Sequence, residues 1–322
     1  MIVDSCHDST GKPAALAYLE SIGVPPEHII LLVATHWHDD HVRGFSTLVE
    51  KSVNAEVCMS KAFTENEFVT FLSAYNKPFP TDRLPSGSSE LLATLKILQE
   101  RKSPATIAYP DRCLLRPPRA APGVEIYSLS PSDACLERFM RYIGANMPQQ
   151  GVTKTRTPSI KANETAIALL VKLQDHSILL GADLEETHKG WTAILASNGR
   201  PQELSTLFKI PHHGSENGHH DGVWDNMLIP SPVAILTPYN KSSKLPKQTD
   251  IARIKKLSPK SYTTQPHTQG RKASRPSHIE KTIKETAIRI APICQSMGHI
   301  RAKLSGTNPE WEIELFNGAA PL

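Results

Sequence analysis

Six consecutive apolar residues, Ile29–Ala34, run directly into Thr35–His41, which reads THWHDDH. An apolar, β-branched run of strand length with no polar interruption reads as a strand covered on both faces, so the chain must build layers above and below it. With 322 residues it has enough length to do so without a disulfide or a structural metal. The loop after such a strand is where sheet proteins place functional groups, and a helix is expected to begin near His41. Two imidazoles at i and i+2 on an extended loop, His36 and His38, point the same way and can share one ion. Asp40 and His41 then turn toward a second ion beside it. Histidine and carboxylate ligands suit Zn²⁺, with Mn²⁺, Fe²⁺ and Co²⁺ also open.

Strand and helix patterns alternate along the rest of the chain. The opening Ile-Val-Asp reads as a short strand and Lys12–Ile22 as a helix ended by Gly23. Helices are expected over Thr64–Tyr75 and Ser88–Arg101, the second capped by serines. Glu125–Leu129 reads as a strand, and Thr165–Leu173 with Ser177–Leu180 as a hairpin. A helix is expected after the hairpin, ending at Ala196. Leu207–Ile210 and Val233–Leu236 are further strands, Gln248–Leu257 is a basic helix, and His299–Lys303 with Trp311–Phe316 is a final hairpin. No repeat is visible. The pattern fits one α/β domain spanning 1–322, with loop insertions at about 51–123 and 142–161.

The net charge of +4 is unevenly spread. Residues 241–275 hold ten Lys or Arg against the single acid Asp250, while the rest holds 26 basic and 31 acidic residues. Such a segment attracts a polyanion or forms a solvated surface, and composition alone leaves both open. No apolar run exceeds six residues and the first ten carry no signal-peptide pattern, so neither a membrane partner nor secretion is expected. Five scattered cysteines without a CxxC pair fit packed, reduced thiols in a cytoplasmic protein.

THWHDDH resembles the signature of the metallo-β-lactamase superfamily. Asp4 after the first strand, Leu180-Gly-Ala-Asp183-Leu-Glu and Lys209-Ile-Pro-His212-His213-Gly214-Ser215 resemble its other motifs in order. The last segment, with Asn163-Glu-Thr-Ala-Ile-Ala and Leu129-Ser-Pro-Ser-Asp, is similar to the hydrolase domain of DNA-internalisation competence proteins. The resemblance implies an αββα sandwich of two mixed sheets flanked by helices, with two divalent ions, zinc or manganese, at one sheet edge. It places His36 and His38 on the first ion, Asp40, His41 and one of the His212/His213 pair on the second, His212 being favoured because it directly follows the strand, and Asp183 between them. Asp40 and His213 are the implied catalytic groups, His213 either supporting a ligand from behind or donating a proton, and Asp4 orients a ligand imidazole. Ser215 and Asn240 are weaker candidates for substrate contact.

Two departures stand out. Many superfamily members supply a third histidine to the first ion from the chain between the two motifs. Here that stretch holds only His176, expected to be exposed in a hairpin turn, and Asn163 is at most a weak neighbour. The chain also opens at the Ile-Val-Asp strand, without the one or two strands usually before it. A partner chain or a further N-terminal segment is therefore expected to complete that sheet edge.

Two divalent ions lower the pKa of a water between them toward ~7. The motifs and the basic segment favour a phosphodiester substrate, DNA or RNA first. Alternatives are a cyclic nucleotide, acyl or thioester hydrolysis at the same centre, or an interaction module that has lost activity.

Overall fold

The computed structural model describes residues 1–75, 87–147, 162–240, 244–266, 277–286, 298–305 and 308–322. Strands β1 (Ile2–Val3), β2 (Leu31–Ala34), β3 (Glu56–Ser60) and β4 (Thr106–Ala108) form one sheet in that order. Every pair in it is parallel, so this sheet is not mixed as expected. Helical crossovers dictate this, because a strand that follows a helix re-enters the sheet in the same direction. The crossovers are α1 (Ala14–Ser21), α2 (Asp39–Val42) with α3 (Phe45–Lys51), and α4 (Asn66–Tyr75) with α5 (Gly87–Glu100).

The remaining strands are β5 (Arg112–Leu115), β6 (Val124–Ser128), β7 (Leu169–Leu173), β8 (His176–Leu180), β9 (Ser205–Lys209), β10 (Leu228–Leu236), β11 (Ser261–Thr263), β12 (His299–Ser305), β13 (Asn308–Phe316) and β14 (Ala320–Pro321). Eight of them form the second sheet, ordered β14-β11-β10-β9-β8-β7-β6-β5, and β12 pairs only with β13. Strands β8 to β11 run parallel, and antiparallel strands flank them on both sides. The other helices are α6 (Asp133–Asn146), α7 (Trp191–Ala196), α8 (Asp221–Asn226), α9 (Gln248–Leu257) and α10 (Ser277–Thr286).

Side-chain alternation along the strands sorts the core into three apolar layers. On β2, Leu32 and Ala34 face one layer with Phe45, Phe68 and Leu91 of the helices, while Leu31 and Val33 face another. That second layer lies between the sheets and holds Cys58, Leu115, Ile126, Leu169 and Val171. Leu170 of β7 points the other way, into a third layer with Trp191, Phe208 and Ile254. Helix, sheet, sheet, helix is thus the order of layers, as the αββα expectation requires.

Several local expectations change. Residues 51–123, expected as a loop insertion, contribute β3 and β4 to the first sheet and β5 to the second. Helix α6 extends to Asn146, into the loop expected from 142; residues 148–161 of that loop lie outside the described residues. The Ser132 side chain caps α6 by accepting from the Cys135 amide, and Cys135, Leu136, Phe139 and Ile143 form its buried face. Thr165 closes a 3₁₀ turn instead of opening a strand, and after Asp183 no α-helix begins before Trp191. Strand β1 stands at an edge of its sheet, and among the described residues nothing pairs with its outer side. Among the described residues no helix is long and apolar enough to cross a membrane.

Candidate metal centre

Parallel pairing delivers five strand ends to one edge of the sandwich. Asp4 follows β1, Thr35 to Asp40 follow β2, Asp183 follows β8, the two adjacent histidines follow β9, and Tyr239 follows β10. The Ile167 amide donates to the Thr35 carbonyl at 3.1 Å, tying this edge of the two sheets together. The loop after β8 can approach the loop after β9 only because residue 181 is glycine. A Cβ there would lie 2.8 Å from Pro211 Cβ.

Two groups of side chains at this edge can each hold a metal ion: His36, His38 and Asp183, and beside them Asp40, His41 and His213. In the first, His36 Nε2 is 3.2 Å from His38 Nδ1 and 3.8 Å from Asp183 Oδ2. In the second, His213 Nε2 lies 3.4 Å from Asp40 Oδ2. Asp183 Oδ2 joins the groups, 3.4 Å from His41 Nε2 and 3.3 Å from His213 Nε2. Three of these imidazoles are held from behind through the other ring nitrogen. His36 Nδ1 meets Thr35 Oγ1 at 3.0 Å, His41 Nδ1 meets Asp4 Oδ2 at 2.7 Å, and His213 Nδ1 meets the Thr237 carbonyl at 2.9 Å. Such contacts select the tautomer that leaves a lone pair facing the centre.

Asp4 is the hub of this support, since its carboxylate also accepts the Thr35 amide and hydroxyl, each at 2.8 Å. Asp4→Asn is expected to weaken metal affinity about 10–100-fold, the usual cost of losing a partner behind a ligand. Titration against a chelator of known affinity measures it, and an unchanged affinity would show that Asp4 only ties down the loop.

The charges are arranged for cations. Burial opposes ionisation of Asp183, yet the neighbouring His41 charge and the His213 hydrogen bond hold its carboxyl well below the usual range. Asp40 is also burdened by burial and is likewise lowered, by His213 and His41. Burial disfavours the charged form of His41, but the Asp183 and Asp4 carboxylates outweigh it and raise its pKa well above the ordinary value. Against the same burial penalty, Asp183 and Asp40 raise His213 to about 9. Burial keeps His36 neutral, with the His41 charge adding to the effect. Protonated imidazoles therefore balance the carboxylates in the metal-free protein, in positions where bound cations would serve. The donor set fits divalent cations: imidazole nitrogens gathered with the buried Asp183 and the partly exposed Asp40 carboxylates.

Of the two adjacent histidines, the structure brings the less favoured one to the second group. His213, not His212, sits with Asp40 and His41. Both ring nitrogens of His213 are engaged, Nδ1 by the Thr237 carbonyl and Nε2 beside Asp183. His212 instead has Nε2 3.3 Å from Asn163 Nδ2 and Nδ1 3.7 Å from Glu185 Oε1. Ser215 donates its hydroxyl to Asn217 and Asn240 its amide to Gln265, so both hold turns. His176 opens β8 half-buried, its ring 5.9 Å from Trp311. Trp37 packs beneath the loop against Phe68. His220 caps α8 and His219 pairs with Asp221. Tyr239 was not singled out in the sequence, yet its ring lies 5.2 Å from that of His213. Its only signal was its place just after an apolar strand.

Residues 1–98 match the sequence profile of the metallo-beta-lactamase superfamily. The match takes in His36, His38, Asp40 and His41, while Asp183, His212 and His213 lie beyond it. Members of this superfamily are largely metal-dependent hydrolases. Among solved structures the chain is similar to a HARLDQ-motif mutant of the Cronobacter sakazakii metallo-beta-lactamase, at 17% identity and TM-score 0.27, covering 57% of this chain and 50% of that one. The Rm3 metallo-beta-lactamase matches at 14% identity and TM-score 0.30, over 65% of each chain. The metallo-beta-lactamase fold protein YhfI from Bacillus subtilis matches at 12% and TM-score 0.36, over 81% of each. The chain thus spans half the length of the first of these relatives. No curated protein matches it.

Proposed function

We propose that this chain hydrolyses phosphodiesters with two divalent ions, and that its substrate is a nucleic acid. The observation that carries this reading is the position of the basic helix α9. It docks directly on the loop holding His212 and His213: Arg253 Nη2 donates to the Gly214 carbonyl at 2.9 Å, and Ile254 packs against Gly214. Lys255 and Lys256, one turn on, face solvent. A polyanion bound at the centre would run beside them. Of the other basic residues in this segment, Lys241, Arg271, Lys272 and Arg275 lie outside the described residues.

Two bound divalent ions supply a low-pKa water and neutralise charge that develops on the phosphoryl oxygens. The chain's own residues do the rest. Asp183, with a side chain only 5% exposed, fixes the separation of the two groups, whereas Asp40 at 30% keeps an open carboxylate face. Asp40 is therefore the group placed to take a proton from the attacking water. Tyr239, half-buried beside His213, forms one wall of the approach.

A substrate panel tests the reading: single- and double-stranded DNA, RNA, a cyclic nucleotide, a chromogenic phosphodiester, a thioester and a β-lactam, each with Mn²⁺ or Zn²⁺. Cleavage of nucleic acid and the chromogenic diester is expected; turnover of the thioester or β-lactam alone would overturn it. Changing Lys255 and Lys256 to Gln should weaken DNA binding and flatten the log–log salt dependence by ~0.9 per lost duplex phosphate contact. Turnover of the small diester should hold steady, and an equal loss on both substrates would mean that the lysines serve the fold.

A further inference from the structure

We infer that helix α5 sets the geometry of the metal loop through Asp39 and Glu90, two positioning residues outside both metal-holding groups. The inference rests on reading those groups as a metal centre and is independent of the substrate. Asp39 stands between His38 and Asp40, yet both of its oxygens are taken by protein groups. Oδ1 accepts the Gly87 amide at the start of α5, and Oδ2 meets Arg43 Nη2 at 3.2 Å. The helix can come this close only because residue 87 is glycine, where a Cβ would lie 2.0 Å from the Trp37 carbonyl oxygen.

Glu90 makes the second attachment, one turn further along α5. The buried face of this helix is Gly87, Glu90, Leu91, Thr94 and Leu98, a stripe at helical spacing on which an ionisable residue is out of place. Glu90 is only 5% exposed, and its carboxylate is engaged by the start of α3. Oε1 accepts the Gly44 amide at 2.9 Å, while Oε2 accepts the Ser46 amide at 3.2 Å and the Ser46 hydroxyl at 2.7 Å. Amides at the start of a helix lack partners within it, and the helix dipole favours a carboxylate there. A leucine would fill the stripe equally well. The carboxylate adds direction, because its two oxygens fix where Gly44 and Ser46 stand.

Helix α5 thus grips the loop at two points, Asp39 and Gly44, and the stretch between them carries Asp40 and His41. His38 is coupled to that stretch, because its carbonyl accepts the His41 amide at 2.9 Å and the Val42 amide at 3.1 Å. Trp37, whose carbonyl lies against Gly87, joins His36 to His38. Four of the six side chains in the two groups therefore stand on a backbone segment held from α5. Leu91 and Leu98 already seat the helix in the outer apolar layer with Phe45. What the two carboxylates add is the placement of the loop, and a misplacement of about 1 Å at a reacting centre costs up to ~10²-fold in rate.

Co²⁺ is the probe, because its visible absorption bands follow the number and arrangement of its ligands. The spectrum of the Co²⁺-loaded protein, its kcat on the chromogenic diester at saturating Co²⁺, and its melting temperature are measured for Asp39→Ala, Asp39→Asn and Glu90→Gln. Asp39→Ala and Glu90→Gln should shift the bands and lower kcat by up to ~10²-fold, although the ions are saturating. Asp39→Asn keeps an oxygen for the Gly87 amide and removes only the charge, so it should retain the wild-type spectrum. Wild-type bands and kcat in folded Asp39→Ala and Glu90→Gln, even with a lowered melting temperature, would overturn the inference and leave both residues a role in the fold alone. A change in only one of these two variants would strike the other residue from it. Asp39→Asn as impaired as Asp39→Ala would also overturn the role given to Asp39, since charge and not the hydrogen bond would then matter. Asp39 is 43% exposed and carries the test alone if Glu90→Gln does not fold. A wild type that binds no Co²⁺ would overturn the metal centre itself.

Discussion

Asp183→Asn is expected to lower turnover of a phosphodiester by roughly 10³-fold, a larger loss than any single histidine substitution produces. The carboxylate reaches both groups through one oxygen, 3.8 Å from His36 Nε2, 3.4 Å from His41 Nε2 and 3.3 Å from His213 Nε2. An asparagine keeps the shape but removes the charge shared by two cations, and it turns an NH₂ group toward one of the imidazoles. Removing one electrostatic stabiliser of a transition state costs about 10²–10³-fold, and a group that serves two ions belongs at the upper end. The histidines of each group remain, so one equivalent of metal should still be bound. Measuring kcat with the chromogenic diester at saturating Mn²⁺, alongside metal content, separates catalysis from occupancy. Turnover equal to wild type would reduce Asp183 to a turn residue after β8.

The parts of this centre legible in the sequence are those whose geometry is local. His36, His38, Asp40 and His41 lie within six residues on one strand-end loop, and the apolar run before them announces the strand. Asp183 was legible for the same reason, through its Gly-Ala-Asp turn after β8. The roles of His212 and His213 were not, because they depend on two consecutive left-handed backbone angles that no residue type there requires. Tyr239 reaches His213 through the parallel pairing of β9 and β10, Lys209 opposite Ile235, which is a tertiary fact. Strands β3 and β4, of five and three residues, are too short to show a period and exist because β2 offers an edge to β3 and β3 offers one to β4. The all-parallel first sheet follows from counting those strands together with their helical crossovers, so missing the strands concealed it.

With its metals removed by chelation, the protein should lose stability between pH 6.5 and 9, and the metal-loaded protein should not. His213 is raised to about 9 in the fold by Asp183 and Asp40, despite burial. A group whose folded pKa exceeds its unfolded value stabilises the fold fully below the unfolded value, near 6.5, and loses that contribution as pH rises through the folded one. The side chain is only 11% exposed, and the shift corresponds to roughly 3 kcal/mol. His41 is raised well above its ordinary value by Asp183 and Asp4, so its contribution has the same sign. Asp183 and Asp40 are lowered, and their contributions are already complete above the carboxylate range, so they do not offset the loss at alkaline pH. Divalent ions reverse the trend, because each must displace the proton of an imidazole it binds. Metal affinity should therefore climb with pH up to about 9, by as much as ~100-fold per unit where both His41 and His213 deprotonate on binding. Melting curves with EDTA and with Zn²⁺ across pH 6 to 9.5 should diverge steadily. Calorimetric titration in two buffers of different ionisation enthalpy counts the protons released. A flat melting temperature in EDTA, with no proton release on binding, would mean that these two imidazoles are neutral before the ions arrive, and that the carboxylates of the centre are balanced some other way.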